Sequence, residues 1–219
     1  MQGAVVVIGM GGLGCPAAVA LAEAGVRRMT LVDGDVVETS NLHRQPLYGV
    51  EDVGRPKVDV AAQRLARAYP GMEIETWQHR LSADEAAPLL ARHALGIDGT
   101  DSVAAKFFLS DAVARSGVPL VSGAVVQWEG RAMRIEPGGA CLRCLYGEPP
   151  AEDEVPTCAR AGVLGSLAGA VGALQAALAL GARPAAGTSA LHVLDGRTLR
   201  FRTLTVRRAP GCPGCGSAR

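Results

Sequence analysis

A chain of 219 residues that is 48% hydrophobic and 20% charged can bury a sizeable core, which excludes intrinsic disorder. The formal net charge of +1 lacks the basic excess by which nonspecific nucleic-acid or membrane-surface binders hold their partners. The opening MQGAVVVIGMGG has no basic segment leading into an apolar one, so no signal peptide is expected and a cytoplasmic protein is.

Ala4–Ile8 is a continuous apolar, β-branched run and predicts a strand buried on both faces. Gly9-Met-Gly-Gly-Leu-Gly14 follows at once, then Cys15-Pro16 and an Ala-rich helical stretch to about Ala24, stopped at Gly25. Met29–Asp33 reads as the second strand, and residues 34–56 as a long polar loop of the kind that carries function. The pattern next predicts a helix over Lys57–Tyr69, a strand over Glu73–Gln78, a helix capped by Ser82 to about Arg92, and a strand over Ala94–Asp98. After Gly99-Thr-Asp101 come a helix to about Ser116 and strands over Val118–Ala124 and Val126–Ile135. Cys141-Leu-Arg-Cys144 falls in a Gly/Pro-flanked loop, and the acidic, Pro-rich Gly147–Pro156 reads as mobile. Ala161–Ala182 is uncharged between Arg160 and Arg183. Its Ala/Gly composition is only weakly hydrophobic, which argues for a helix in the core or at a subunit contact and against a membrane span. Ala190–Leu194 and Thr198–Val206 predict a strand pair, and Cys212-Pro-Gly-Cys215 lies near the end. The alternation predicts one α/β domain over residues 1–219, with a doubly wound, mostly parallel sheet and a C-terminal β extension.

Gly9-x-Gly11-x-x-Gly14 between a strand and a helix suits a polyphosphate: the glycines admit close backbone approach and the helix start offers free N–H groups. Asp33, at the end of the next strand, can accept from ribose hydroxyls. A nicotinamide dehydrogenase would need the same unit, but not the cations Arg44 and Lys57 that follow, which suit chemistry at phosphorus. Lys57 is one of only two lysines beside 20 arginines and stands against the dipole of its helix, unless it is simply solvated. Asp101, at the carboxyl edge of the sheet, either faces a phosphate-bound Mg²⁺ or caps the following helix. The pairs Cys141/Cys144 and Cys212/Cys215 make a closed zinc site if the fold joins them, disulfides being the weaker alternative in a cytoplasmic protein. Cys15 reads as a small buried residue. Cys158 near a helix start and Arg160 is either a reactive thiolate or inert. His43, His79, His93 and His192 show no ligand spacing.

Together the stretches GMGGLGCP (9–16), VDGDVVETSNLHRQ (32–45), GRPKVD (54–59), DGTDSVAAKFFLSD (98–111), CLRC (141–144), TCARAGVLGSLAGAVGALQA (157–176) and CPGC (212–215) resemble the HesA/MoeB/ThiF family, bacterial relatives of ubiquitin-activating enzymes. They lie in the family's order along nearly the whole chain. The resemblance implies a Rossmann-like fold that binds ATP and Mg²⁺. It implies adenylation of the C-terminal Gly-Gly carboxylate of a small ubiquitin-like sulfur-carrier protein for molybdopterin, thiamine or related synthesis, with release of pyrophosphate. It further implies a cofactor-binding set of Gly9, Gly11, Gly12, Gly14, Asp33, Asp35, Asn41, Arg44, Lys57 and Asp101. Asp101 would hold Mg²⁺, Zn²⁺ would sit on the four paired cysteines, and Cys158 matches a position that in some members forms a thioester, persulfide or acyl-disulfide. A homodimer is implied, without nucleic-acid or membrane partners.

The sequence departs from the family pattern at Ser102, where Asn is usual, at Lys106, where Arg is usual, and at Ser110, where Asn is usual. Met1 stands three residues before the first strand, where relatives carry an arm with an arginine for the neighbouring subunit, so slow adenylation or a late start codon is expected. No sulfurtransferase-like domain follows the final cysteine pair, so a separate sulfur donor is expected. Two other functions compete: a catalytically weakened nucleotide- and carrier-binding scaffold, and a nicotinamide-dependent oxidoreductase, which lacks an evident acid or base for hydride transfer.

Overall fold

The computed structural model describes residues 3–150 and 162–216. One eight-stranded sheet runs through it in the order β3-β2-β1-β4-β5-β6-β7-β8. Five strands are parallel: β1 (Val5–Ile8), β2 (Arg28–Val32), β3 (Glu73–Trp77), β4 (Leu95–Asp98) and β5 (Leu120–Val126). The antiparallel extension is β6 (Glu129–Ile135), β7 (Thr188–Asp195) and β8 (Arg200–Arg207).

The period of two along the strands sorts the helices onto two faces. Val5 and Val7 of β1 share a core with helices α1 (Gly14–Glu23), α2 (Lys57–Ala68) and the late helix α6 (Gly165–Leu180). Val6 and Ile8 face α3 (Ala83–Ala91) and α4 (Val103–Ser116), and that core continues to the short helix α5 (Leu142–Tyr146) and the cysteine pairs. The sheet is thus doubly wound. The chain builds outward from β1 toward β3 on one side and from β4 toward β8 on the other. The crevice between the carboxyl ends of β1 and β4 is the switch point, where such sheets bind ligands.

The Ala/Gly segment forms α6 over a shorter span than its uncharged stretch, and it packs in the core. Gly172 lies so close to α1 that a Cβ there would collide with the Leu13 carbonyl oxygen. Among the described residues no helix is long and apolar enough to cross a membrane. Three other expectations are corrected. Residues 34–56 hold two 3-10 helices, Thr39–Arg44 and Val50–Asp52, and a bridge between Val36 and Pro56, so the connection is folded back on itself. The hairpin turn falls after Val126, with Gln127 at φ 51°, because β5 pairs as far as Val126 opposite Glu129. Cys144 lies on α5, which Cys141 caps, and not in a loop. Cys158 and most of the acidic stretch expected to be mobile lie outside the described residues.

Candidate nucleotide site and cysteine cluster

The turn after β1 is fixed from below, and at Gly11 it leaves room above. Gly9 has φ +88°, and its backbone touches the chain leaving β4: a Cβ there would come 2.8 Å from the Gly99 carbonyl. On Gly14 a Cβ would collide with the Gly9 carbonyl oxygen. These two glycines are therefore demanded by the turn itself. Gly11 and Gly12 differ in their surroundings, Gly12 also packing against Ala168. Around Gly12 a Cβ would find the Arg44 carbonyl oxygen at 3.3 Å, and around Gly11 only the Gln45 amide nitrogen at 3.6 Å. The peptide of Met10 is held at both ends. Its N–H donates to Asp33 Oδ2 at 2.7 Å, and its carbonyl accepts from the Tyr48 hydroxyl at 2.8 Å.

Asp33 thus ties the ends of β1 and β2 together, and its second oxygen accepts from the Asp35 N–H at 2.8 Å. Burial pushes its carboxyl up, against the pull of the Lys57 charge and the two amides. Lys57 opens α2 and is only 5% exposed, so the solvated reading of this lysine is corrected. Its Nζ meets Asp35 Oδ2 at 3.2 Å, and Arg80 reaches the other Asp35 oxygen at 3.0 Å. Partial burial works to raise Asp35, but the Arg80 hydrogen bond and the Lys57 charge outweigh it and hold this carboxyl below its ordinary value. Arg44 ends the 3-10 helix Thr39–Arg44 beside Gly12, donating to Asn41 Oδ1 at 2.5 Å and the Ser40 carbonyl at 3.3 Å. Asn41 in turn donates to Glu38 at 3.1 Å, so Asn41 orients Arg44.

Asp101 follows β4 and is exposed. The cap of α4 is Ser102, whose hydroxyl accepts from the Ala105 N–H at 3.3 Å, so the capping alternative for Asp101 is corrected and its carboxylate is left unused by the helix. Below it lies a cluster that sequence reasoning missed. Asp98 is wholly buried and accepts from Ser122 Oγ at 2.6 Å, from the Thr100 hydroxyl at 2.7 Å and from the Thr100 N–H at 3.0 Å. Lys106 reaches Asp98 at 3.3 Å and the Gly123 carbonyl at 2.5 Å. The charge of Lys106 is therefore spent on Asp98, and the pair pins the short segment that presents Asp101. Its rarity, as one of two lysines, and its family mismatch singled Lys106 out in sequence; nothing local announces Asp98 or Ser122.

The four paired cysteines converge on the far side of the sheet. Their sulfurs lie within 4.8 Å of one another, with Cys141–Cys212 at 3.6 Å, Cys144–Cys215 at 3.4 Å and Cys141–Cys144 at 3.9 Å. Four thiolates around one ion at about 2.3 Å stand roughly 3.8 Å apart, so the set fits a tetrahedral metal. It is too open for disulfides, whose sulfurs lie at about 2 Å. Burial raises the Cys215 thiol to about 11; burial also works to raise Cys212, but the amides of Cys215 and Gly214 bring it down to about 7. The Ala209 N–H donates to Cys144 Sγ at 3.3 Å. Two contacts clip the cluster to α4: Arg143 with Asp111 at 3.0 Å, and the Leu142 N–H with Ser110 Oγ at 3.0 Å. Cys15 is buried, as expected, and burial pushes its thiol up to about 12.

A glycine turn opening a helix, a buried carboxylate after the next strand, two cations and an exposed carboxylate beyond β4 are groups that suit a nucleoside triphosphate. The model of the ThiF family matches residues 2–214. The Thermus thermophilus protein named sulfur carrier protein adenylyltransferase is 43% identical, covering 98% of this chain and 83% of its own. A Salmonella typhimurium protein named molybdopterin-synthase adenylyltransferase is 40% identical, covering 97% of this chain and 86% of its own. The solved structure of E. coli MccB with MccA shares the fold, with a TM-score of 0.83 at 19% identity over 99% of this chain and 67% of that one.

Proposed function

The chain belongs to the ThiF family, and from that premise we propose that it is an adenylyltransferase that uses ATP to activate the C-terminal Gly-Gly carboxylate of a small ubiquitin-like sulfur-carrier protein. A carboxylate oxygen of the carrier attacks the α-phosphorus. The bond from that phosphorus to the bridging oxygen breaks, and pyrophosphate leaves with the electron pair. Negative charge grows on the leaving group, and the protein's part is to offset it. The observation that carries the reading is Arg44 packed against Gly12, with the buried Lys57 held on Asp35 beside Asp33 at the end of β2. Hydride transfer asks for no such cations.

In this reading the backbone of Gly9, Gly11, Gly12 and Gly14 lets the phosphates approach, and Asp33 accepts from the ribose. Asp35 holds Lys57 in place and Asn41 holds Arg44. Asp101 would hold Mg²⁺, which would supply positive charge at the phosphates. Cys141, Cys144, Cys212 and Cys215 would hold Zn²⁺ as a closed structural site. Cys158 is the candidate thiol for a later acyl or sulfur transfer, with sulfur supplied by a separate donor protein. The working form is a cytoplasmic homodimer.

The test is exchange of labelled pyrophosphate into ATP, with a carrier ending in Gly-Gly from the same genome. Exchange that needs both carrier and Mg²⁺ is expected, and Cys158→Ser should leave it intact. ATP binding without exchange for any such carrier would overturn the assignment.

A further inference from the structure

Four residues of α6, spaced by three and four along one face, touch in turn the segments around the proposed site. A Cβ on Gly165 would meet the His43 carbonyl oxygen at 2.7 Å and Arg44 Cα at 3.4 Å. A Cβ on Gly12 would meet the Ala168 methyl at 3.4 Å, and Gly172 lies against the Leu13 carbonyl oxygen. Gln175 completes the row. It is wholly buried, and its Nε2 donates to the carbonyl oxygens of Asp98 at 2.8 Å and Val121 at 3.0 Å, one on β4 and one on β5. Its Oε1 is buried too and meets no donor among the described residues. An unpaired buried oxygen is costly, and methionine would fill the same space without one. The amide is therefore kept for the two directed bonds it makes.

Those bonds grip a stiff unit. On the α4 side of the sheet the Asp98 carboxylate accepts from Ser122 and from both the hydroxyl and the N–H of Thr100, and Asp101 follows directly. On the α6 side Gln175 holds the main chain of the same Asp98. Gln175 thus sets where the unit carrying Asp101 stands along α6, while Gly165 and Ala168 set where Arg44 and Gly12 stand along the same helix.

We propose that Gln175 is a positioning residue for the reaction, fixing the Asp101 carboxylate at its distance from Arg44 and the glycine turn. The proposal rests on the reading of Asp101 as the Mg²⁺ ligand and extends it. Apolar packing lets a helix slide, whereas a hydrogen bond weakens steeply off its axis, so the amide locks α6 in register with β4 and β5. The geometry of such a site must hold to about 0.5 Å.

Gln175→Met keeps the volume and removes both polar ends. ATP affinity is read by calorimetry with and without Mg²⁺, and the ratio of the two is the gain that the metal brings. The variant should melt close to the wild-type temperature, since losing two hydrogen bonds is offset by losing an unpaired oxygen. It should bind metal-free ATP as the wild type does, and the gain from Mg²⁺ should fall about tenfold. Gln175→Glu is a partial rescue. Burial against two carbonyl oxygens holds its carboxyl neutral, and one O–H replaces one of the two N–H bonds, so its gain should fall less. A wild-type gain in Gln175→Met would overturn the proposal, whether the melting temperature falls or metal-free affinity falls equally; either would make Gln175 a structural tie. Should the methionine chain not fold, Gln175→Glu decides alone, and a gain equal to the wild type overturns the proposal. Asp101→Ala isolates the premise: if it leaves the gain intact, the Asp101 reading falls and this proposal with it. If it removes the gain while Gln175→Met does not, only this proposal falls.

Discussion

Asp101 and Ser102 stand side by side and divide two tasks between them. The hydroxyl of Ser102 closes the start of α4, while the Asp101 carboxylate is exposed and unused by the helix. Ser102→Ala should therefore cost about 1 kcal/mol of stability in urea unfolding, the usual worth of such a cap. Asp101→Ala should abolish pyrophosphate exchange with the unfolding midpoint unchanged; normal exchange at saturating Mg²⁺ would remove Asp101 from the mechanism. Spacing alone allowed either residue to be the cap, because both are good capping types. Only the backbone geometry, extended at Ser102, decides. The two cations should behave differently from each other. Arg44→Ala and Lys57→Ala should each lose about 2–4 kcal/mol of transition-state stabilisation, measured through kcat/KM. Arg44 is partly exposed and bonded locally, so its removal should leave stability alone. Lys57 is buried against Asp35 and counters the charge of Asp33, so its removal should also lower the unfolding midpoint. A loss confined to ATP affinity, with turnover unchanged, would show that both only bind.

The element proposed to hold the phosphates is a strand, a turn and a helix, and its glycines are not equivalent. A Cβ on Gly14 would sit on top of the Gly9 carbonyl oxygen, with no flexible side chain there to yield. Gly14→Ala should destabilise the protein by about 1–3 kcal/mol or more, the scale of overpacking, or prevent folding. Gly11→Ala meets only the far end of Gln45, so its melting temperature should match the wild type while ATP affinity falls. Equal stability of the two variants would contradict this division of the motif. The unit was legible in sequence because each signal was local: a β-branched run, glycines at fixed spacing, an acidic residue closing the next strand. The fold of the connection over residues 34–56 was not, although it carries Asp35, Asn41 and Arg44. Its 3-10 helices are too short for apolar periodicity, and what folds them back is a set of backbone bonds and the Val36–Pro56 bridge. Asp98, Ser122 and Lys106 escaped for a related reason. They come from three different elements, and only the parallel pairing of β4 with β5 brings Asp98 opposite Ser122.

At the scale of the whole molecule, the cysteine pairs were recognisable one by one, and the fold explains how they meet. β6 leads to α5, and the hairpin of β7 and β8 pairs onto β6, which returns the end of the chain to the same place. A metal there would close a long loop of chain, and its assembly would be coupled to folding. Its reach extends beyond the cluster, because Ser110 and Asp111 of α4 clasp the backbone of Leu142 and the side chain of Arg143. At the other end of α4 stands the Asp98–Lys106 pair that pins the segment carrying Asp101. Purified protein should hold about one zinc per chain by metal analysis. Removing it with a chelator, or replacing Cys144 by Ser, should lower the melting temperature. In hydrogen exchange the lost protection should lie in residues 141–147, residues 207–216 and the second half of α4. The turn after β1 should stay protected, since it is held by Asp33 and Tyr48 on the other side of the switch point. Protein that melts at the same temperature without metal would show that the sheet and its two cores hold the cluster together unaided. Loss of protection spread evenly over the molecule would show instead that the metal is tied to the whole fold, and not to α4 and the C-terminal segment.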